Sequence, residues 1–261
     1  MDLALRYYEN KEYSKAIPLL KQEADKGNTD AHVYLGDSYL NGIGVKKDYK
    51  EAFKWYQKAA EKDYAKAQCN LGFMYHNGYG VEKNDQEAIK WIKKAAKQGD
   101  ANAQCILGGM YEDGEGVKIN DQEAIKWYKK AVDQGFPPAQ NNLAYIYAKR
   151  NQNLDEAELL IKEVLKNVPD KACVIDTYGY ILYKQGKYKE ALVQLKKANE
   201  LIKNNADIKD HMADVFWKLG KQKEARKLWQ EALKLIKDDK DNDQAELKQQ
   251  IQKKIGNNQN K

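Results

Sequence analysis

A repeat of fixed length constrains this chain more than any other feature. Leu35, Leu71 and Leu107 recur 36 residues apart, as do Gly36, Gly72 and Gly108, then Tyr39, Tyr75 and Tyr111, then Trp55, Trp91 and Trp127. A period of this size, about 20 to 50 residues, marks an array in which each unit buries its apolar face only against its neighbours. The 261 residues therefore need no single large core. Leu, Ala, Lys, Glu, Gln and Asn dominate and proline is limited to four residues, so the repeating element is helical.

Within one period the residues spell out a helix pair. Ala31, Tyr34, Leu35 and Tyr39 fall at intervals of three and four and give a first helix one apolar face. Gly42, Gly78 and Gly114 follow it, where a left-handed terminating residue is commonest. A second glycine comes two later, at Gly44, Gly80 and Gly116, then Val45, Val81 or Val117, which can tuck back between the helices. Asp48, Asn84 and Asn120 each precede a glutamate by three residues (Glu51, Glu87, Glu123), the spacing of a capping box, so a second helix starts there. Ala52, Trp55 and Ala59 form its buried face, small residues admitting close approach beside a large filler.

The segments Ala67 to Tyr75, Asn77 to Val81 and Glu87 to Ala96 resemble the Sel1-like repeat, a relative of the tetratricopeptide repeat, and many positions match in three tandem copies. The resemblance implies an all-α, right-handed α-solenoid of antiparallel helix pairs of the bacterial Sel1-like and tetratricopeptide type. Residues 1–28 read as a partial opening pair with Pro18 inside its second helix, where it should kink the helix or delay its start to about Ser14. Residues 29–135 hold three Sel1-like repeats. From 136 to 236 three pairs are closer to tetratricopeptide repeats: Pro137 and Pro138 suit a helix start, and the Gly-x-Gly loop gives way to Lys149 to Asn153. Residues 237–256 read as a charged linker followed by a half-polar capping helix carrying Leu247, Ile251 and Ile255, and 257–261 as a disordered tail.

Catalytic constellations find little footing. His32, His76 and His211 are not at ligand spacing with cysteine or carboxylate, so neither metal nor other cofactor is expected. Gly78 to Gly80 resembles the opening of a phosphate loop, but a third glycine and a Gly-Lys-Ser end are missing and a helix precedes it. The tryptophans sit on the alanine-rich face of the second helix and read as core rather than a ligand-stacking ladder. Cys69 and Cys105 lie one repeat apart. Adjacent stacked helices are roughly 8 to 10 Å apart, beyond the roughly 7 Å limit for a disulfide, so free thiols are expected. Some relatives of the Sel1-like group pair a first-helix cysteine with a second-helix one, but Ala60, Ala96 and Val132 occupy those second-helix positions.

The 45 basic and 39 acidic side chains leave +6, spread along the chain, so nucleic-acid binding is not expected. No apolar run approaches the roughly 18 residues of a membrane span, and Met1 to Asn10 lacks a signal-peptide core. The chain is expected to be soluble. A shortened first repeat fits either a cytoplasmic chain or a periplasmic or secreted one that has lost a leader.

In tetratricopeptide-like stacks, first-helix positions one and four residues after the Leu-Gly pair, with their neighbours, face the concave groove. Carried onto this sequence these are Asp37, Phe73, His76, Asn77, Glu112, Asp113, Tyr145, Lys149, Tyr180, Tyr183, Lys184, Asp214, Trp217 and Lys218. Aromatics among mixed charges suit a protein or peptide partner. Asn141 and Asn142 resemble the amide contacts of peptide-clamping repeats, but the lysine ladder of a carboxylate clamp is missing, with Asp176 and Asp210 at later equivalents of Asn141. The expectation is a non-enzymatic adaptor. The alternatives are an RNA- or anionic-glycan-binding solenoid and, with no residue constellation behind it, a hydrolase of cell-wall material or β-lactams.

Overall fold

Each glycine after a first helix takes the left-handed conformation that a helix terminator needs. Gly42, Gly78 and Gly114 have φ of 73°, 67° and 79°, and their amides donate to the carbonyls of Ser38, Met74 and Met110. The next helix starts where the cap residues sit. Asp48, Asn84 and Asn120 accept from the amides two and three residues on, at 2.9 to 3.1 Å. The capping box is not reciprocal, however. The cap amides donate to the carbonyls of Tyr39, Tyr75 and Tyr111 at the ends of the first helices, and Glu51, Glu87 and Glu123 instead pair with Lys54, Lys90 and Lys126.

The computed structural model describes residues 1–236 and 244–257. Among them are fifteen helices and no strand. Two compact units divide the chain, Met1–Ala139 and Gln140–Lys261. The first unit holds α1 (Asp2–Glu9), α2 (Tyr13–Asp25), α3 (Thr29–Asn41), α4 (Tyr49–Ala60), α5 (Ala65–Asn77), α6 (Asp85–Lys97), α7 (Ala101–Asp113) and α8 (Asp121–Val132). The division falls in the first turn of α9 (Pro137–Lys149). After it come α10 (Leu154–Asn167), α11 (Ala172–Lys184), α12 (Tyr188–Leu201), α13 (Ala206–Lys218), α14 (Gln222–Leu235) and α15 (Ala245–Asn257). Pro18 lies inside α2, which begins at Tyr13. Where the Gly-x-Gly loop is absent, Asn151 and Asn153 take left-handed φ of 54° and 46°, which asparagine tolerates better than most residues. The expected linker at 237–243 lies outside the described residues, as does 258–261. Gly256 and Asn257, by contrast, complete α15, so the helix reaches the first residue of the expected tail.

The first unit is layered by a division of labour on the second helices. Tyr56, Ile92 and Tyr128 are the sealed fillers, all 2% exposed or less. Each presses on the glycine of its partner helix, and a Cβ at Gly36, Gly72 or Gly108 would come within 2.5 Å of it. The neighbouring tryptophans serve a different joint. Trp55 packs back onto the cluster of the opening pair, Trp91 onto that of the next, and Trp127 is buried in the third. The ammonium groups of Lys58, Lys94 and Lys130 lie 4.4, 4.3 and 4.2 Å from their ring centroids, closing the layer against water.

A polar clasp repeats between layers. The amide of Gln68 donates to the Ala60 carbonyl and its oxygen accepts from Gln98 at 2.8 Å. One repeat on, Gln104 donates to Ala96 and accepts from Gln134 at 2.8 Å. Both glutamines are buried, so these partners remove what would otherwise be an uncompensated desolvation cost. His32 takes the same position in the first full repeat; burial, then Lys62 and Lys58, lower its pKa and keep it neutral.

The cysteines are not joined in a disulfide; Cys69 and Cys105 are buried and Cys173 is exposed. Burial, then the charge of Asp100, pushes the Cys69 thiol up to about 12. A colorimetric thiol titration of the native protein is expected to show one fast-reacting group, Cys173, and the other two only on unfolding. Two fast groups would contradict the packing of this layer.

Candidate interaction surface

The second unit gathers its ionisable and aromatic groups on its first helices. Asp176 and Tyr180 lie one turn apart on α11, and Asp207, Asp210, His211 and Asp214 follow on α13. The His211 Nδ1–H donates to both oxygens of Asp176, at 3.0 and 3.1 Å, with both residues buried. Burial alone would lower the imidazole pKa; Asp176, through charge and hydrogen bond, then Asp210 and Asp207, raise it to about 9. His211 is therefore a buried cation at neutral pH. The Tyr180 ring stacks on it at 4.3 Å between centroids, an arrangement in which the π-face compensates for part of the lost hydration.

From Tyr180 an aromatic row runs outward. Tyr145 lies 5.8 Å away on one side and Tyr183 6.2 Å on the other, with Tyr188 5.9 Å beyond Tyr183. Tyr145, Tyr180 and Tyr183 are each half-buried. Burial, then the charge of Asp214, raises the pKa of Tyr180 and Tyr183. The Lys184 ammonium sits 5.0 Å from the Tyr180 ring, and burial depresses its pKa. A carboxylate pair on α13 lies near Tyr180 and Tyr183. Asp210 and Asp214 both accept from Lys254 of α15, at 2.7 to 2.8 Å. Burial raises the pKa of Asp214 and Asp207.

Tyr145, Tyr180, Tyr183, Lys184 and Asp214 are thus brought together among the residues singled out from the sequence. The others are dispersed. Trp217 packs on Trp229 at 5.6 Å, under Arg226, and Lys218 is exposed at the end of α13. Lys149 is half-buried in the last turn of α9, and Asn141 keeps its side-chain oxygen buried. In the first unit Asp37 accepts from the Tyr56 hydroxyl at 2.6 Å and tethers a core side chain. Glu112 does the same for Tyr128 at 3.0 Å, while Asp113 is exposed at the end of α7. His76 bonds Asp85 at 2.9 Å, and the Asn77 amide turns back to the Phe73 carbonyl.

Phe73 remains outside, 41% exposed. Its ring meets the edge of Tyr79, which is stacked flat on Tyr49 at 4.5 Å with 3° between planes. Lys47 lies 4.6 Å over Tyr49. A shallow hollow of about 740 Å³ opens beside this shelf, lined by Tyr39, Tyr49, Gly80, Lys46, Lys47 and Lys50. Tyr79 and Tyr49 were not singled out from the sequence, because neither lies at a groove position of a first helix.

Among the described residues no group of three or more His, Cys, Asp or Glu is placed to hold a metal ion. No described helix is long and apolar enough to cross a membrane.

Paired helices, glycine-terminated and stacked at a fixed period, define an all-α helical-repeat protein of the solenoid class. The Sel1 repeat profile matches residues 29–64, 65–100, 101–136 and 137–157, and a TPR repeat profile matches 179–220. The stretch 137–157 is where the sequence reading begins its tetratricopeptide-like pairs. A Sel1 repeat protein from Oxalobacter formigenes is 31% identical, with a TM-score of 0.67 over 89% of this chain and 98% of that one. The chain belongs to the Sel1 repeat family. It is also similar to a protective antigen of uropathogenic Escherichia coli strains displaying an SLR fold, at 28% identity and TM-score 0.58, covering 90% of this chain and 60% of that one. YrrB, described as a TPR protein with an unusual peptide-binding site, shares the fold at 20% identity and TM-score 0.51, over 76% of this chain and 97% of that one. No curated protein matches the chain. Repeats of these two kinds generally build protein-interaction scaffolds and are typically non-enzymatic.

Proposed function

We propose that this chain is a non-catalytic adaptor that holds a protein or peptide partner on the first-helix face of its second unit. One observation carries the reading: Tyr145, Tyr180 and Tyr183 form a half-buried aromatic row with Lys184 against the Tyr180 ring and Asp214 close enough for its charge to act on Tyr180 and Tyr183. Tyrosine offers a large contact area for few rotatable bonds, and Tyr180 is already held by its stack on His211. A partner therefore meets groups that need little ordering on binding. His211 and Lys254, the cations held here, are already matched by Asp176, Asp210 and Asp214, so binding on this face should respond weakly to salt.

The test uses a photo-crosslinking residue at Lys218, exposed at the end of α13 one turn beyond Asp214, and capture from extracts of the native cell. Tyr145→Ala combined with Tyr183→Ala is expected to weaken capture by roughly thirtyfold, equivalent to about 2 kcal/mol, with the helical circular-dichroism signal unchanged. Tyr180 is left in place because His211 rests on it. Capture that survives the double replacement would move the partner to another surface, the Phe73 shelf of the first unit being the next to try.

A further inference from the structure

We propose that the Asp210–Asp214 pair is a receptor for a lysine carried on an amphipathic helix, and that α15 is a ligand of this kind bound in cis, which a partner's helix replaces. The inference rests on the adaptor reading and names the partner's chemistry. Its basis is the way α15 is held. Leu247, Ile251 and Ile255 fall four residues apart and pack on the cluster built by α13 and α14. Of these only Ile251 is fully buried, whereas α13 buries seven side chains. A polar hold adds to this: the Lys254 ammonium reaches both carboxylates at 2.7 to 2.8 Å.

The receptor side is built for a cation. Asp210 is 4% exposed with Lys254 in place, and two neighbouring carboxylates under cover are costly unless a positive group joins them. Tyr180 and Tyr183 are close enough to feel the charge of Asp214. His211 hydrogen-bonds Asp176 and acts on the pair through its charge. The geometry sets the ligand's pattern: apolar residues at the first, fifth and ninth positions of a helix and lysine at the eighth, as in Leu247, Ile251, Ile255 and Lys254.

The test uses the full chain and a fluorescein-labelled synthetic peptide of residues 244–257. Ile251→Asp should release the cis helix and leave the carboxylates in place. The peptide is expected to bind this variant at least tenfold more tightly than the native chain, measured by fluorescence anisotropy, and to lose at least tenfold when its lysine is replaced (Lys254→Met). Should Ile251→Asp fail to fold, the Lys254→Met chain, which keeps the apolar contacts, carries the same comparison. Equal binding of the two peptides, or no binding to either variant, overturns the proposal. So does a concentration-dependent dimer of the native chain with α15 seated on a second copy. If the peptide fails while capture through Tyr145 and Tyr183 persists in the Lys254→Met chain, the cis-ligand idea falls and the adaptor reading stands.

Discussion

Gly80→Ala is expected to destabilise the first unit by about 3 kcal/mol or more, against about 1 kcal/mol for Gly78→Ala two residues earlier. Both glycines have positive φ, 73° and 67°, so both replacements carry the left-handed cost. Only Gly80 also abuts backbone. A Cβ there would sit 2.3 Å from the Tyr49 carbonyl oxygen and 2.8 Å from the Lys50 amide, atoms at the start of the previous pair's second helix. At Gly78 the nearest atoms stand 3.5 Å away. Gly116 repeats the arrangement, with its Cβ 2.6 Å from the Asp85 carbonyl. Urea unfolding of the two variants decides the matter: equal midpoints would show that the loop yields and that the two layers are not locked there.

Asp176→Ala should cost the second unit about 3 to 5 kcal/mol, since it strands a buried cation. Replacing both partners by leucine (Asp176→Leu with His211→Leu) is expected to restore most of that loss, because no charge is then left under cover. The pair also fixes a pH dependence. The folded His211 holds its proton up to about 9, above its ordinary 6.5, because Asp176, Asp210 and Asp207 outweigh burial. Its contribution is therefore complete below about 6.5 and is lost as pH rises through about 9. The raised carboxyl groups of Asp207 and Asp214 act in the same direction at lower pH. Unfolding midpoints followed from neutral to alkaline pH should fall in the native chain and lose that alkaline slope in the double-leucine variant. A flat native profile would mean that His211 is neutral.

The period made the helix pairs, their stops and their caps legible, because each rests on contacts within a few residues. It did not settle which large side chain fills the pair. Trp55 and Tyr56 are adjacent, and only the facing glycine, Gly36, shows that the tyrosine is sealed within the pair while the tryptophan packs on the layer before. The spacing of Asp48, Asn84 and Asn120 to the following glutamates placed the second-helix starts correctly but not the partner of the cap amide, which donates to a carbonyl near the end of the preceding helix. The aromatic row on α9 and α11 could be anticipated from repeat positions. The charge network beside it could not. Asp176 and His211 are 35 residues apart, and Asp210 and Lys254 are 44 apart, so the pairing exists only once α11, α13 and α15 are packed. The one signal in the sequence was that Asp176 and Asp210 stand at corresponding positions of successive pairs.

The clasp of Gln68 with Gln98 and of Gln104 with Gln134 bears on how such an array changes length over evolutionary time. Both joints use the same residue types at the same offsets, and the loop glycines Gly80 and Gly116 meet the same backbone atoms one layer back. An in-frame duplication or excision of 36 codons within this stretch therefore rejoins surfaces that already fit. Recombination can add or remove whole layers here without inventing a contact, whereas the singular network around His211 cannot be copied out of place without stranding a partner.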